Sequence, residues 1–400
     1  MRILFVHDYG DRCGGAEKTI IGLREAIRRR GHEAALLASS ARLGAGATSA
    51  DMECWGTTGP FRTVVQSANP FARQRLAAAL SRYRPDVVHV GSFLTQLSPL
   101  ILPLLRDVPS VLHVMWLRSA CPTGTKRLPD GTACTESWGG ACLARGCLPF
   151  RDWLPLMAQM RMFRRWRAVF DAVLVESETM RRAMHAEGME TAEVVGNAVE
   201  AVGQRPFPGG RPCIFAGGRL VPTKGFAELV EAFAIVLRAV PDARLVIAGD
   251  GPEAPRLARL ARTLCIGDAV SFPGWAAGPA LESLYRDAWI VAVPSLAPES
   301  FCLMAAEAMA RGIPVVATDA GALPDTVGEG GSIVAAGDVA GLAQAIVPLL
   351  TPARAAALGE TARRSGERRF DFEEYCSRIE RVHERVVRGT AGGVPGESRR

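Results

Sequence analysis

Short apolar runs separated by longer amphipathic stretches recur from one end of the chain to the other, and few folds accommodate that rhythm. In the first half, Ile3–His7, Ala34–Ala38, Asp86–Val90, Ser110–Val114, Ala172–Val175 and Ala192–Val195 read as strands. In the second half, Cys213–Ala216, Arg244–Ala248, Ala269–Phe272, Trp289–Val293, Pro314–Ala317 and Ser332–Ala335 do. Segments such as Ala16–Arg30, Gly225–Val240 and Glu299–Arg311 carry helical spacing between them. Near-continuous apolar strands alternating with helices predict parallel sheets covered on both faces. Twelve strands would make one unusually wide sheet, so six and six predict an α/β protein of two doubly wound, Rossmann-like domains facing across a cleft. The predicted boundaries are 1–197 for the first domain, a Gly/Pro-rich linker over 198–211, and 212–370 for the second. A last helix over 371–388 is free to pack back on the first domain, and a Gly-rich tail over 389–400 is expected to be disordered.

Composition narrows the function. The formal charge of +6 is too weak for a dedicated nucleic-acid binder, and aromatics at 6% are sparse for stacking bases. The longest apolar contender for a membrane span, Leu97–Leu105, is short and contains Pro99 and Pro103. The opening residues read as a strand rather than a signal peptide, because Asp8 follows a short apolar run. Ten cysteines without a secretion signal are expected to be reduced thiols in a cytoplasmic protein. Lysine is rare: only Lys18, Lys126 and Lys224 stand among the 47 basic residues, so each position matters.

Ligands of open α/β sheets bind beyond the carboxyl ends of the strands. There the first half places His7, Asp8, Gly14-Gly15-Ala16-Glu17 and His113, and the second places Gly217-Gly218-Arg219, Gly249-Asp250-Gly251, Gly274 and Pro298-Glu299. The densest signal is Gly217-Gly218-Arg219 leading to Lys224-Gly225. Glycines let a backbone approach a ligand, and a planar guanidinium beside a point ammonium suits a diphosphate. The alternative, a turn with solvated basic residues, is weakened by the scarcity of lysine. The next signal is Pro298-Glu299 through Glu307 to Gly312, read as one helix with Glu299 in its first turn. Eight helical residues would put the two carboxylates roughly 12 Å apart along the axis, about the length of a nucleoside diphosphate, with an anion site at the helix start.

Together these residues resemble glycosyltransferase family 4, retaining enzymes of the GT-B fold. The resemblance also runs through Arg84-Pro-Asp-Val-Val-His-Val, Val175-Glu-Ser-Glu, Asn197, Ala248-Gly-Asp-Gly-Pro, Val293-Pro-Ser and Gly312-Ile-Pro-Val-Val-Ala-Thr. It implies transfer of a sugar from a nucleoside-diphosphate sugar to a saccharide or lipid-linked acceptor, in surface polysaccharide or glycolipid synthesis. Arg219 and Lys224 would hold the diphosphate, Glu307 the ribose, and Glu299 the transferred sugar. His113 would stand near the anomeric carbon, and Gly14 and Gly15 would close under the phosphates. Gly218, Gly251, Gly274, Phe301, Cys302 and Leu303 complete the implied donor lining. Cys302 stands where the family usually has glycine, and Val114 follows His113 where many relatives carry Asp. Two cations and a helix start predict transfer without a divalent metal. Competing readings are a sugar-nucleotide epimerase, a phosphorylase on the same plan, and a catalytically silent nucleotide-sugar binder.

Three weaker signals leave alternatives open. Cys121, Cys134, Cys142 and Cys147 lack paired Cys-x2-Cys knuckles, so they fit a structural zinc, reduced thiols or disulfides. Arg161, Arg164, Arg165 and Arg167 interleave with Met160, Met162, Phe163 and Trp166, giving either a helix lying on anionic lipid at the inner face of a membrane or a solvated face. Gly249-Asp250-Gly251-Pro252-Glu253-Ala254 matches a dinucleotide fingerprint formally, but Pro252 counts against NAD and favours a loop beside a nucleobase. His7, His32, His89, His185 and His383 show no metal-ligand spacing.

Overall fold

The computed structural model describes residues 1–12, 14–42, 47–200, 203 and 205–391. The chain forms two compact units: Met1–Gly196, rejoined by the chain from Glu373 onward, and Asn197–Phe372.

The first unit contains β1 (Arg2–Tyr9), β2 (Glu33–Ser39), β3 (Met52–Cys54), β4 (Val87–Val90), β5 (Ser110–Val114), β6 (Ala172–Val175) and β7 (Ala192–Val194). Their order is β3-β2-β1-β4-β5-β6-β7, with every pairing parallel. Six of these strands match apolar runs. The seventh, β3, has no pattern of its own, since three residues hold barely one alternation; it is set by pairing Leu37–Ser39 of β2 with Met52–Cys54. Ile3, Leu4, Phe5 and Val6 of β1 are all fully buried, as a strand covered on both faces requires.

The strand order reverses between β1 and β4, and a buried carboxylate fixes the loop there. Asp8 accepts hydrogen bonds from the Thr95, Gln96 and Leu97 amides and from the Thr95 hydroxyl, at 2.7–3.0 Å. Burial still leaves its carboxyl above the usual range.

The helix Phe372–Ala391 covers part of this sheet. Arg30 binds Ser377 at 3.1 Å and Glu373 at 2.7 Å, and His32 lies 3.0 Å from Glu380. Beneath it, His89 Nδ1 meets His383 Nε2 at 2.9 Å and His89 Nε2 meets His113 Nδ1 at 3.3 Å, all three rings being fully buried. Gly389–Ala391, expected to be disordered, are helical, and the rest of that expected tail, residues 392–400, lies outside the described residues.

Burial, then neighbouring imidazoles (His32 for His383, and His383 for His113 and His89), drives the pKa of His113 and His383 down to about 3 and lowers that of His89 as well. The folded cluster therefore stays neutral while the unfolded chain takes up protons below about pH 6.5. Stability must fall as pH drops from about 6.5, by up to about 1.4 kcal/mol per pH unit for each such histidine. Urea melts at pH 7.5 and 5.0 check this: an equal midpoint at both would contradict it, and His383→Leu should flatten the dependence.

The second unit contains β8 (Cys213–Gly217), β9 (Arg244–Ala248), β10 (Val270–Gly274), β11 (Ile290–Val293), β12 (Val315–Thr318) and β13 (Gly331–Val334). Their order is β10-β9-β8-β11-β12-β13, again parallel throughout, reversing between β8 and β11. On the helix Phe226–Ala239, Phe226, Leu229, Val230, Phe233 and Val236 recur every three or four residues and are buried on one face. The segment expected as a linker contributes to this unit: Val199 pairs with Asp371, and Arg205 donates to the Arg286 carbonyl at 2.9 Å.

Candidate functional site

At the carboxyl ends of β8, β9 and β10 three glycine-containing loops interlock by backbone contact. Gly218 N donates to Ala248 O, Leu220 N to Asp250 O, and Gly249 N to Gly274 O, at 2.8–2.9 Å. The fit is close: a Cβ on Gly249, at φ 146°, would stand 1.8 Å from the Gly218 carbonyl oxygen. Gly251 shares the Asp250 loop, and a Cβ there would meet the Leu220 backbone. This packing carries Arg219 and Lys224 out beyond the sheet edge.

Lys224 Nζ lies 2.6 Å from Glu299 Oε1, which also accepts from the Ser295 hydroxyl. Burial works against both charges, yet each group supports the other. Glu299 holds the Lys224 ammonium above the ordinary lysine range. Lys224, then Ser295, holds the Glu299 carboxyl below its usual range. Arg219 is exposed, its charge is felt by both partners, and its guanidinium makes no hydrogen bond or ion pair among the described residues. Two cations and one ionised carboxylate thus share the mouth of this loop.

The helix expected from Glu299 begins later, at Leu303. Glu299 instead lies extended, bridging Gly321, with its amide bonded to Ala320 O and its carbonyl to Ala322 N. The twelve-ångström spacing drawn from a continuous helix therefore does not hold. The helix Leu303–Ala310 opens at Cys302, which has no side-chain cap, and closes at Gly312, whose φ of 70° allows Gly312 N and Ile313 N to reach back to Met309 and Ala308.

Within this helix Glu307 accepts from the Tyr285 hydroxyl at 2.6 Å. Burial and then Glu307 raise the Tyr285 phenol well above its usual range, so it remains a donor. Arg311 stacks 4.6 Å from the Tyr285 ring centre and also binds Glu282, fixing the ring. Ser295 and Tyr285 thus orient the two carboxylates. Helical and strand periodicity mark neither, although Ser295 lies in the Val-Pro-Ser run.

Cys302 has φ 79°, and burial, then Glu299, pushes its thiol up to about 12. A side chain in the left-handed region costs about 1–2 kcal/mol. Cys302→Gly is expected to stabilise this unit by about 0.5–1 kcal/mol once the extra freedom of the unfolded chain is subtracted. Cys302→Val should destabilise it, and denaturant midpoints of both variants check the pair.

Two of the expected site residues, Phe301 of the donor lining and the catalytic candidate His113, have buried side chains. Phe301 is turned into the core, 5.4 Å edge-on to Phe370, so its side chain does not face a ligand. His113, expected near the anomeric carbon, lies within β5 with its ring fully buried in the histidine cluster, and it lines a small cavity of about 20 Å3. Leu303 is half-buried in the first turn of its helix. Gly14 and Gly15 belong to the first unit, where Gly14 opens the helix Gly15–Arg29 in an extended conformation.

The cysteine cluster gathers no ligand cage. Among the described residues no three His, Cys, Asp or Glu side chains stand close enough to hold a metal ion, and the four thiols are free. Cys121 Sγ instead meets the Thr123 hydroxyl at 3.1 Å.

Two family models match the chain: a glycosyl transferase 4-like domain over residues 14–198 and glycosyl transferases group 1 over residues 200–365. The chain belongs to glycosyltransferase family 4. A phosphatidyl-myo-inositol mannosyltransferase of Mycobacterium leprae is 31% identical to this glycosyltransferase over 58% of its chain and 64% of the relative. A GDP-mannose-dependent alpha-(1-6)-phosphatidylinositol monomannoside mannosyltransferase of Mycolicibacterium smegmatis is 36% identical over 39% and 43%. The chain therefore spans less than two thirds of the first relative's length and less than half of the second's. Among solved structures, a sucrose-phosphate synthase from Thermosynechococcus elongatus superposes with a TM-score of 0.76 at 21% identity, over 97% of this chain and all of the other. Anabaena HepE in complex with UDP and glucose does so at 0.70 and 21%, over 96% and all of the other. These likenesses support the GT-B fold of two Rossmann-like units. No single helix among the described residues is long and apolar enough to cross a membrane.

Proposed function

We propose that this glycosyltransferase moves a sugar, with retention, from a nucleoside-diphosphate sugar to a saccharide or lipid-linked acceptor, without a divalent metal. The observation that carries the reading is the Lys224–Glu299 pair beside Arg219, at the turn leading into an uncapped helix start. Breaking a sugar–phosphate bond loads negative charge onto the departing diphosphate, and fixed cations and amides that meet this charge lower the barrier. An ammonium has three donors, so Lys224 can keep Glu299 and still reach a phosphate oxygen. Because Glu299 shares that charge, Arg219 and the amides at Leu303 carry much of the remainder. The ionised Glu299 accepts hydrogen bonds from sugar hydroxyls, and Glu307, held by Tyr285, accepts them from the ribose. The phosphatidylinositol specificity in the names of two relatives supports a lipid-linked acceptor, hence glycolipid or surface polysaccharide synthesis at the cytoplasmic face of a membrane.

A panel of nucleotide sugars tests this by thermal shift, since a ligand at 100 times its Kd adds about 2.7 kcal/mol of stability. The stabilising donor should then support transfer in excess EDTA. Loss of transfer in chelator with recovery on adding magnesium or manganese contradicts metal independence, and the absence of any stabilising nucleotide sugar contradicts the whole reading.

A further inference from the structure

The helix Phe150–Trp166 was expected to meet lipid, if at all, along its arginine-rich end. Met157, Met160 and Phe163 are buried in the first unit, and beside the exposed Arg161, Arg164 and Arg165 no large apolar side chain is exposed at that end of the helix. The opposite end differs: Phe150 is 63% and Leu154 55% exposed. Against it packs the short helix Arg62–Ser67, tied by a 2.9 Å hydrogen bond from the Thr63 hydroxyl to Asp152, and here Phe61 is 73% and Val64 59% exposed. Trp55 and Phe71, ring centres 5.6 Å apart, stand half-exposed in the segments flanking that helix. Two stretches of sequence thus hold six of the large hydrophobics exposed among the described residues, where scattered single ones are the norm. The exposed charges interleaved with them, Arg62, Arg73, Arg75 and Arg151, are all positive, and Asp152 is engaged with Thr63.

We propose that this face, with Phe61, Val64, Phe150 and Leu154 as anchors and Arg62 and Arg151 at its edge, docks on the surface of an anionic lipid bilayer. Apolar anchors gain by entering the interfacial region while guanidinium groups remain at headgroup level, which pairs the two interactions peripheral binding needs. Arg164 and Arg165 stand roughly 21 Å along the helix from Phe150, with no exposed large apolar side chain beside them to hold them at the surface, so they contribute less than the arginines set among the anchors. The inference rests on the lipid-linked acceptor reading for its purpose and is tested apart from it.

The test is co-sedimentation of the full chain with phosphatidylcholine vesicles, with and without phosphatidylglycerol. Wild type should bind the anionic vesicles at least about 10-fold more tightly than the neutral ones, and high salt should weaken that binding. Phe61→Ser combined with Leu154→Ser should reduce binding about 10-fold or more, with melting temperature and nucleotide-sugar thermal shift unchanged. Arg164→Gln with Arg165→Gln should leave it within about 3-fold. The proposal is overturned if wild type ignores anionic vesicles, if the serine variant binds as wild type does, or if the distal arginines carry the loss. It is equally overturned if the serine changes abolish a dimer seen by sedimentation while vesicle binding persists. Vesicle binding with no nucleotide-sugar shift would sink the transfer reading and leave this one standing.

Discussion

Lys224→Ala is expected to lower kcat/KM for sugar transfer by roughly 100- to 1,000-fold, the loss typical of one preorganised donor facing developing negative charge. The substitution removes the ammonium 2.6 Å from Glu299 and leaves that carboxylate with Ser295 and the field of Arg219. Since Lys224 supplies the leading stabilisation of the ionised carboxylate, the Glu299 pKa must rise in the variant. The acidic limb of the pH–rate profile should therefore move to higher pH. Lys224→Arg keeps the charge but presents a planar fork where a point contact is made, so it should recover only part of the rate. Steady-state kinetics alongside a melting curve separate lost chemistry from lost folding. A wild-type kcat/KM in correctly folded Lys224→Ala would refute the assignment.

Gly225→Ala should cost about 3 kcal/mol or more in stability and remove activity with it. Gly225 has φ 69°, and a Cβ there would lie 1.8 Å from the Pro294 carbonyl oxygen and 2.8 Å from its carbon. Both sides of the clash are backbone. Neither can yield, because the Leu296 and Ala297 amides are bound to the Thr223 carbonyl at 2.9 and 3.1 Å. Relief would push Lys224 away from Ser295 and Glu299, dismantling the charge cluster. Gly210→Ala, in the same unit, is the control: its φ is 82° and a Cβ there would meet nothing, so only the positive φ is penalised, by about 1 kcal/mol. Equal denaturant midpoints for the two variants would show that the loop contact carries no weight.

The parallel sheets were legible because a strand buried on both faces must be apolar nearly throughout, and Ile3–Val6 or Ile290–Val293 satisfy that without ambiguity. Lys224 and Glu299 were legible through residue type: a rare lysine among glycines, and an acid after proline. What periodicity could not supply was depth and partner. His113 looks like a strand-end ligand until His89 meets its Nδ1 and Tyr375, 262 positions later, packs against its ring. The true start of the helix at Leu303 was hidden because Glu299 is captured by Gly321, a contact between segments that no local propensity encodes. For the same reason the arginine-rich helix could be read as amphipathic while the occupant of its apolar face stayed unknown; Met160 and Phe163 face protein.

The seating of Tyr375, Ile379 and His383 against the strands of Met1–Gly196 has a consequence for how the chain is made. The half synthesised first must wait for the helix Phe372–Ala391, made after all of the second unit, before its interior is complete. Asn197–Phe372 is one uninterrupted stretch with everything it needs to close while translation continues. A stop codon just before Phe372 therefore injures Met1–Gly196, a half made well before it.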